Sequence, residues 1–319
     1  MYKFRPILKQ TLWGGEKIGP LKRISSAPDH VGESWEISAV EGNVSVVSGG
    51  EEDGMLLTDL IDKHKEQLMG KKNYAAFGHR FPLLIKFIDA AEDLSVQVHP
   101  NDETAHRMGK PCGKTEMWYL MATDPKAKIL AGLKKAITPE QYKAMVADNT
   151  IPDAIAHYDA HEGDCFFLPG GRIHSIGAGC LLAEIQQTSD TTFRIYDFNR
   201  RDSNGNLRPL HTDQAAQCID YHVLPDYRTH YEAKKDEMVT LVDVPMFTTS
   251  LLDMTRDHTL DLAPLDTFVI LICTSGSGTI AEDGGPAQQF TCGDTVLIAA
   301  STKQVTLRGR MKVIQTYVR

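Results

Sequence analysis

Gln97 and His99 stand two residues apart in SVQVHPND, Glu116 stands in GKTEMWYL, and His174 stands in GRIHSIG. First-row metals in hydrolytic or isomerising sites take nitrogen and oxygen ligands of these kinds. None of the three segments carries an HxxxH pair of its own, so the ligands would have to converge from separate strands. Strand alternation puts Ser95, Gln97 and His99 on one face and Val96 and Val98 on the other. Burying that polar row without partners would cost roughly 2 to 7 kcal/mol per group, so it either faces water or meets something that binds it. The same alternation gives Glu116 and Trp118 a common face.

The elements that must hold these residues are mostly strands. WEISAV, NVSVVSG, LSVQVHP, EMWYLMA, CFFLPG, LLAEIQQ, FVILICT, TVLIAA and VTLRG are short, rich in β-branched or aromatic residues, and bounded by Gly, Asp or Pro. Many short strands with turn punctuation predict an antiparallel sandwich or barrel. Helices read as insertions. MLLTDLIDKHKEQLMG repeats Leu56, Leu60, Ile61, His64 and Leu68 with helical period, and TPEQ at Thr138 has the pattern of a capping box with Pro at the first helical position. A shift of 130 residues lays EGDCFFLPGGRIHSIGAG (162–179) over CGDTVLIAASTKQVTLRG (292–309), matching Gly163 with Gly293, Asp164 with Asp294 and Gly179 with Gly309. Two related β-units follow. The second has Ala299 in place of Pro169 and Gln304 in place of His174, so only the first keeps a metal-binding side chain. The polar stretch between residues 212 and 238 marks the boundary.

The chain has 319 residues, 42% hydrophobic and 24% charged, enough for a substantial core in one large or two medium domains. Its net charge of -8 argues against a nucleic-acid footprint. An anionic substrate would have to be met by a few placed cations. MYKFRPILKQTLWGG lacks the apolar run of a signal peptide, and no stretch approaches the ~20 apolar residues of a membrane span, which points to a cytoplasmic protein. Six scattered cysteines without a CxxC pair are the usage of reduced thiols.

Gly163, Pro169, Gly171 and His174 fit the second signature of cupin β-barrels, G-x5-P-x-G-x2-H, and Gln97, His99 and Glu116 fill the first with Gln in place of the more usual His. With GESWEIS, PLLIKFIDA and AEIQQTSDTTFRIYDFNR, these segments closely resemble type I mannose-6-phosphate isomerases in their short bacterial form, over residues 1–210 or so. The resemblance implies a mainly β chain of double-stranded β-helix (cupin, jelly-roll) barrels. Residues 1–236 would form the catalytic domain, with helical insertions at about 55–72 and 138–157, and 237–319 a degenerate cupin-like β domain.

It further implies one Zn2+ per chain on Gln97, His99, Glu116 and His174, a catalytic Arg194, and phosphate or sugar contacts from Ser95, Lys86 and Lys114, with Asp190 as a further substrate contact. The activity implied is interconversion of mannose 6-phosphate and fructose 6-phosphate through a cis-enediol. Glu184 comes first as the base, then Lys114, then Asp190, with a metal-bound water as another candidate. The partner is a small sugar phosphate, with neither nucleic acid nor membrane, and the assembly a monomer or homodimer. Each residue also has a plainer reading: Gln97 beyond direct reach of the metal, Glu116 as a partner of Lys114, Glu184 as an ion-pair partner of Arg194, Lys86 snorkelling from a sheet edge. The competing functions are a metal-binding cupin that senses a sugar phosphate without turnover, and a glucose-6-phosphate isomerase of the cupin type.

Overall fold

A strand apolar at nearly every position must be covered on both faces. Leu83–Asp89 (LLIKFID) is buried at all seven positions, and Cys180–Gln187 at all but the last. The computed structural model, which describes residues 1–201 and 204–319, puts both inside a seven-stranded antiparallel sheet. Its order is Arg228–Thr229, Cys165–Leu168, Glu116–Thr123, Cys180–Gln187, Leu83–Asp89, Val31–Ile37, Ile7–Gly15. Facing it is a five-stranded antiparallel sheet in the order Ile155–Asp159, Lys128–Leu133, His174–Ile176, Val96–Val98, Phe193–Tyr196. Between the two sheets lie Trp118, Leu120, Phe166 and Leu182 from one side and Ile129, Ala131 and Ile176 from the other. This is the cupin barrel.

The outer face of the five-stranded sheet, with Val96, Val98 and Ile195, is covered by Tyr142 and Val146 of the helix Pro139–Ala147 and Ala215 of the helix Thr212–Cys218. On the far face of the larger sheet, Ile85, Phe87, Met117 and Ile185 pack against Leu57, Leu60 and Leu68 of the other helical insertion and against Phe247, Ile270 and Ile314 of a third sheet. That sheet holds Met238–Val244, Phe247–Met254, Gln304–Tyr317, Val269–Glu282 and Gln288–Thr291, with His258–Asp261 and Thr295–Ile298 paired onto its long strands.

The 130-residue repeat is a repeat of hydrogen bonds. Gly163 and Gly293 both take positive φ, 87° and 88°. The Gly163 N–H donates to Leu120 O and the Leu120 N–H to Asp164 O; in the second copy Gly293 donates to Cys273 O and Cys273 to Asp294 O. The aspartate carboxylates close the same turn, accepting from the backbone N–H of His161 and of Thr291, each at 2.9 Å. His174 is buried on its strand, whereas its counterpart Gln304 is exposed, so the second unit keeps the turn and drops the chemistry.

Neither helical insertion is the single continuous helix that its sequence pattern suggests. The capping box at Thr138 forms, but the helix ends at Ala147, Asn149 turns left-handed at φ 59°, and after one 3-10 turn over Ile151–Ala154 the chain becomes the strand Ile155–Asp159. Pro152 cannot donate the hydrogen bond that would continue the helix. The 55–72 pattern breaks into Leu57–His64, Glu66–Met69 and Lys71–Phe77, with positive φ at Lys65 and Gly70. A Cβ on Gly70 would lie 2.1 Å from Asp266 O, so the third sheet's close approach fixes that break. Leu57 rather than Leu56 is the buried anchor, since Leu56 lies outside the first turn and is exposed.

Candidate active site

Strand pairing explains why the polar row lies where it does. His174 is directly opposite Gln97, and Gln97 is opposite Arg194 on its other side, so the three form one line across the smaller sheet. His99, two residues beyond Gln97, is on the same face. Glu116 comes from the opposite sheet.

His99 Nδ1 donates to Thr191 O at 2.9 Å and His174 Nδ1 to Arg172 O at 2.8 Å. Each neutral ring therefore turns a lone pair outward on Nε2. The two Nε2 atoms are 3.2 Å apart; Glu116 Oε2 is 3.5 Å from the first and Oε1 is 3.3 Å from the second. Burial, then the Lys114 ammonium, holds both imidazoles far below their usual range, His174 at about 3, so neither gains a second proton on Nε2 at neutral pH to relieve the contact. Glu116 Oε1 is buried with no hydrogen-bond partner. Burial, then repulsion from Glu184, pushes the Glu116 carboxyl up to about 7.

Three converging lone-pair donors fit a cation. Tetrahedral ligands held at about 2.0–2.2 Å are roughly 3.3–3.6 Å from one another, close to the separations observed. His99, Glu116 and His174 thus form a group able to hold a metal ion. Gln97 presents Nε2 to His174 Nε2 at 3.4 Å, and a half-turn of its amide presents oxygen at the same place.

A second line of side chains crosses the larger sheet: Trp118, Glu184, Lys86 and Trp35 are successive partners on four neighbouring strands. Lys86 Nζ lies 3.2 Å from Glu184 Oε1, 3.3 Å from Glu33 Oε2 and 4.9 Å from the centre of the Trp35 ring. Trp118 Nε1 donates to Glu184 Oε2 at 2.8 Å, and Trp35 Nε1 to Glu33 Oε2. Burial would discharge Lys86, but Glu33, Glu184 and Glu116 outweigh it and hold the ammonium above its usual range. Burial likewise opposes ionised Glu184, but Lys86 and Lys114 hold its carboxyl below the usual range. Lys114 Nζ lies 2.9 Å from His99 Nε2 and 2.8 Å from Glu116 Oε2. Three carboxylates meet two ammonium groups here, an excess of negative charge that a divalent cation would answer.

Both lines open on one cavity of about 960 Å³. Of the residues singled out in the sequence, Ser95, Lys86, Gln97, Lys114, Glu184, Asp190 and Arg194 line it, with His99, Glu116 and His174 packed beneath. Arg194 is fixed by Nη1 donating to Pro209 O at 2.9 Å, and its Nε is buried without a partner. Glu184 pairs with Lys86, not with Arg194. The two lysines line the cavity and are paired within the carboxylate cluster, Lys86 with Glu33 and Glu184 and Lys114 with Glu116. Glu33, Trp35 and Arg208 line the same cavity. GESWEIS carried the first two in plain sight, but without a partner in sequence they had no assignable role; Arg208 sits in no motif. The six cysteines are free thiols, and none lines the cavity.

Comparison with known proteins agrees with this architecture. The sequence profile of the phosphomannose isomerase type I catalytic domain matches residues 1–146, and that of the mannose-6-phosphate isomerase cupin domain matches residues 237–318. Mannose-6-phosphate isomerase ManA of Bacillus subtilis is 33% identical over 319 residues, covering 99% of this chain and 98% of its own. A crystal structure of mannose 6-phosphate isomerase from Bacillus subtilis superposes with a TM-score of 0.89 at 28% identity, covering 99% of both chains. The apo form of mannose 6-phosphate isomerase from Salmonella typhimurium shares the fold, with a TM-score of 0.77 at 16% identity over 100% of this chain and 99% of its own.

Proposed function

We infer how the cavity works from one premise: this chain belongs to the type I phosphomannose isomerase family and is a mannose-6-phosphate isomerase, interconverting mannose 6-phosphate and fructose 6-phosphate. The observation that carries the mechanism is the pair of Nε2 lone pairs 3.2 Å apart beside a partnerless Glu116 oxygen, at the floor of a cavity lined by cations. The reaction moves a proton between C2 and C1, and its obstacle is the negative charge of the enediolate. His99, Glu116 and His174, with Gln97 as fourth donor, would hold a zinc ion, which when bound supplies a Lewis acid to the substrate oxygens.

Arg194 sits directly beside Gln97 on the neighbouring strand, with donor capacity to spare. Its planar guanidinium gives the developing oxyanion a second positive contact. Glu184 is a carboxylate whose Oε2 accepts from Trp118 and whose Oε1 faces the Lys86 ammonium without a hydrogen bond; the neighbouring charges hold it below the usual range, which suits it to anchoring Lys86 and makes it a weak base. We therefore assign the proton transfer to Lys114, whose Nζ lies against His99 and Glu116 where C1 and C2 would approach: as the neutral amine it would take the proton from one carbon, and as the resulting ammonium it would return it to the other. Ser95, two residues before Gln97 on the same face, reaches toward the distal part of the sugar phosphate. No helix among the described residues is long and apolar enough to cross a membrane. Taken with the free thiols and a phosphorylated substrate, this supports a cytoplasmic enzyme of mannose metabolism. The sensor and glucose 6-phosphate readings find no support among the relatives.

The test follows the C2 proton of mannose 6-phosphate in deuterated solvent. Parent protein with one equivalent of zinc exchanges it and forms fructose 6-phosphate, and a chelator stops both. Lys114→Met, still holding zinc, stops exchange, whereas Glu184→Gln retains measurable exchange. Near-normal exchange in Lys114→Met would return the base role to Glu184 or Asp190.

A further inference from the structure

Four lysine and arginine side chains line the cavity among the described residues: Lys86, Lys114, Arg194 and Arg208. The lysines are held by Glu33, Glu184 and Glu116. Arg194 is in register with Gln97 and so belongs to the metal end. Arg208 enters from the segment that returns after the strand Phe193–Tyr196. Its Nε donates to Asp197 Oδ2 at 2.7 Å and its Nη2 to Oδ1, while Asp197 itself is only 5% exposed.

This side-on pairing has two consequences. It fixes the plane of a side chain that is otherwise costly to order, so less rotamer entropy remains to be lost when a ligand binds. It also uses one edge of the guanidinium and leaves Nη1 without a partner among the described residues. A guanidinium can hold a carboxylate on one edge and a phosphate on the other. The next residue strengthens the placement, because Pro209 O receives Arg194 Nη1 and His211 pairs with the Arg194 backbone in both directions. Arg194 and Arg208 are thus set side by side, and after burial their repulsion is what holds the Arg194 guanidinium below its ordinary range. Tyr196 is the partner of Val96, so the strand carries Asp197 toward Ser95, away from the metal end, as a phosphate on the far end of a hexose requires.

We propose that Arg208 is the residue that recognises the substrate's phosphate and selects phosphorylated over neutral hexose, with Asp197 as its positioning residue. The proposal rests on the mannose 6-phosphate reading. Its test compares mannose 6-phosphate with unphosphorylated mannose as substrates and adds inorganic phosphate as a calorimetric probe. In Arg208→Ala the ratio of kcat/KM for the phosphorylated over the neutral sugar falls about 100-fold, chiefly through KM, and affinity for inorganic phosphate falls in parallel. Arg208→Lys, which keeps the charge but not the fork, recovers part of both, and Asp197→Asn lowers both by about 10-fold. An unchanged ratio in Arg208→Ala, or equal losses with both sugars and unaltered phosphate affinity, overturns the assignment while leaving the isomerase reading intact. A parent protein that neither isomerises nor binds mannose 6-phosphate overturns both.

Discussion

Replacing Lys86 by Met separates two roles that the sequence alone could not distinguish. A lysine that only contacts phosphate would, when removed, raise KM and leave stability nearly untouched. The structure places Lys86 elsewhere: its side chain is 7% exposed and bridges Glu184 and Glu33, whose side chains are 4% and 20% exposed. Met keeps the volume and removes the charge, leaving one carboxylate fully buried and another partly buried without a counter-ion. Breaking such a buried pair from one side costs about 3–5 kcal/mol. Spread over the unfolding entropy of a chain this size, that is a drop of about 4–8 °C in Tm if it melts as one unit.

The penalty has a definite pH dependence. With Lys86 present, the folded-state pKa of Glu184 is depressed, so the pair contributes stability above the unfolded carboxylate pKa and loses it as pH falls through the folded value. Without Lys86, only Lys114 and the Trp118 hydrogen bond still oppose burial, so the folded pKa of Glu184 rises from its depressed value and the variant gains less stability than the parent as pH rises. The gap between parent and variant should therefore be wide at pH 8 and narrow at pH 5. Urea unfolding at the two pH values, with matched ionic strength and metal content, measures it. A variant as stable as the parent at pH 8, with only KM raised, would refute the reading of Lys86 as a buried counter-ion.

Removal of the metal should expose Glu116. Its folded pKa of about 7 lies above the unfolded value, so the metal-free protein loses stability as pH rises through 7; zinc binding near that pH should release a proton, seen as a buffer-dependent heat in calorimetry. Arg194→Ala should lower kcat by about 100- to 1000-fold while elemental analysis still finds a full complement of zinc. Gly70→Ala should cost about 3 kcal/mol in urea unfolding, because φ is 84° and Asp266 O blocks the Cβ, yet activity per folded molecule should survive since the site is elsewhere.

Much of the site was legible because its signals are local. Ser95, Gln97 and His99 share a face through the alternation of one strand, and the Gly-Asp turn recurs 130 residues later because the same backbone bend needs the same two residues. The capping box at Thr138 formed as its spacing implied, but where that helix stops depends on Asn149 and Pro152 together. Glu33, Trp35 and Arg208 were not assigned roles, since they approach the cavity from strands and returns distant in sequence and have no local pattern.

The amino-acid order by itself pointed, through strand alternation and turn chemistry, to an antiparallel β-barrel or sandwich and to the half of the chain that keeps His174, while the cupin class and the ligand set came with its resemblance to a known family. Only the tertiary structure decided which charge answers which. Lys86 and Lys114 read in sequence as cations for a phosphate, yet folding sets them 2.8–3.3 Å from carboxylates and takes both groups out of water. Electrostatic energy depends on separation and on solvent exclusion, and neither quantity exists until the sheets close on each other.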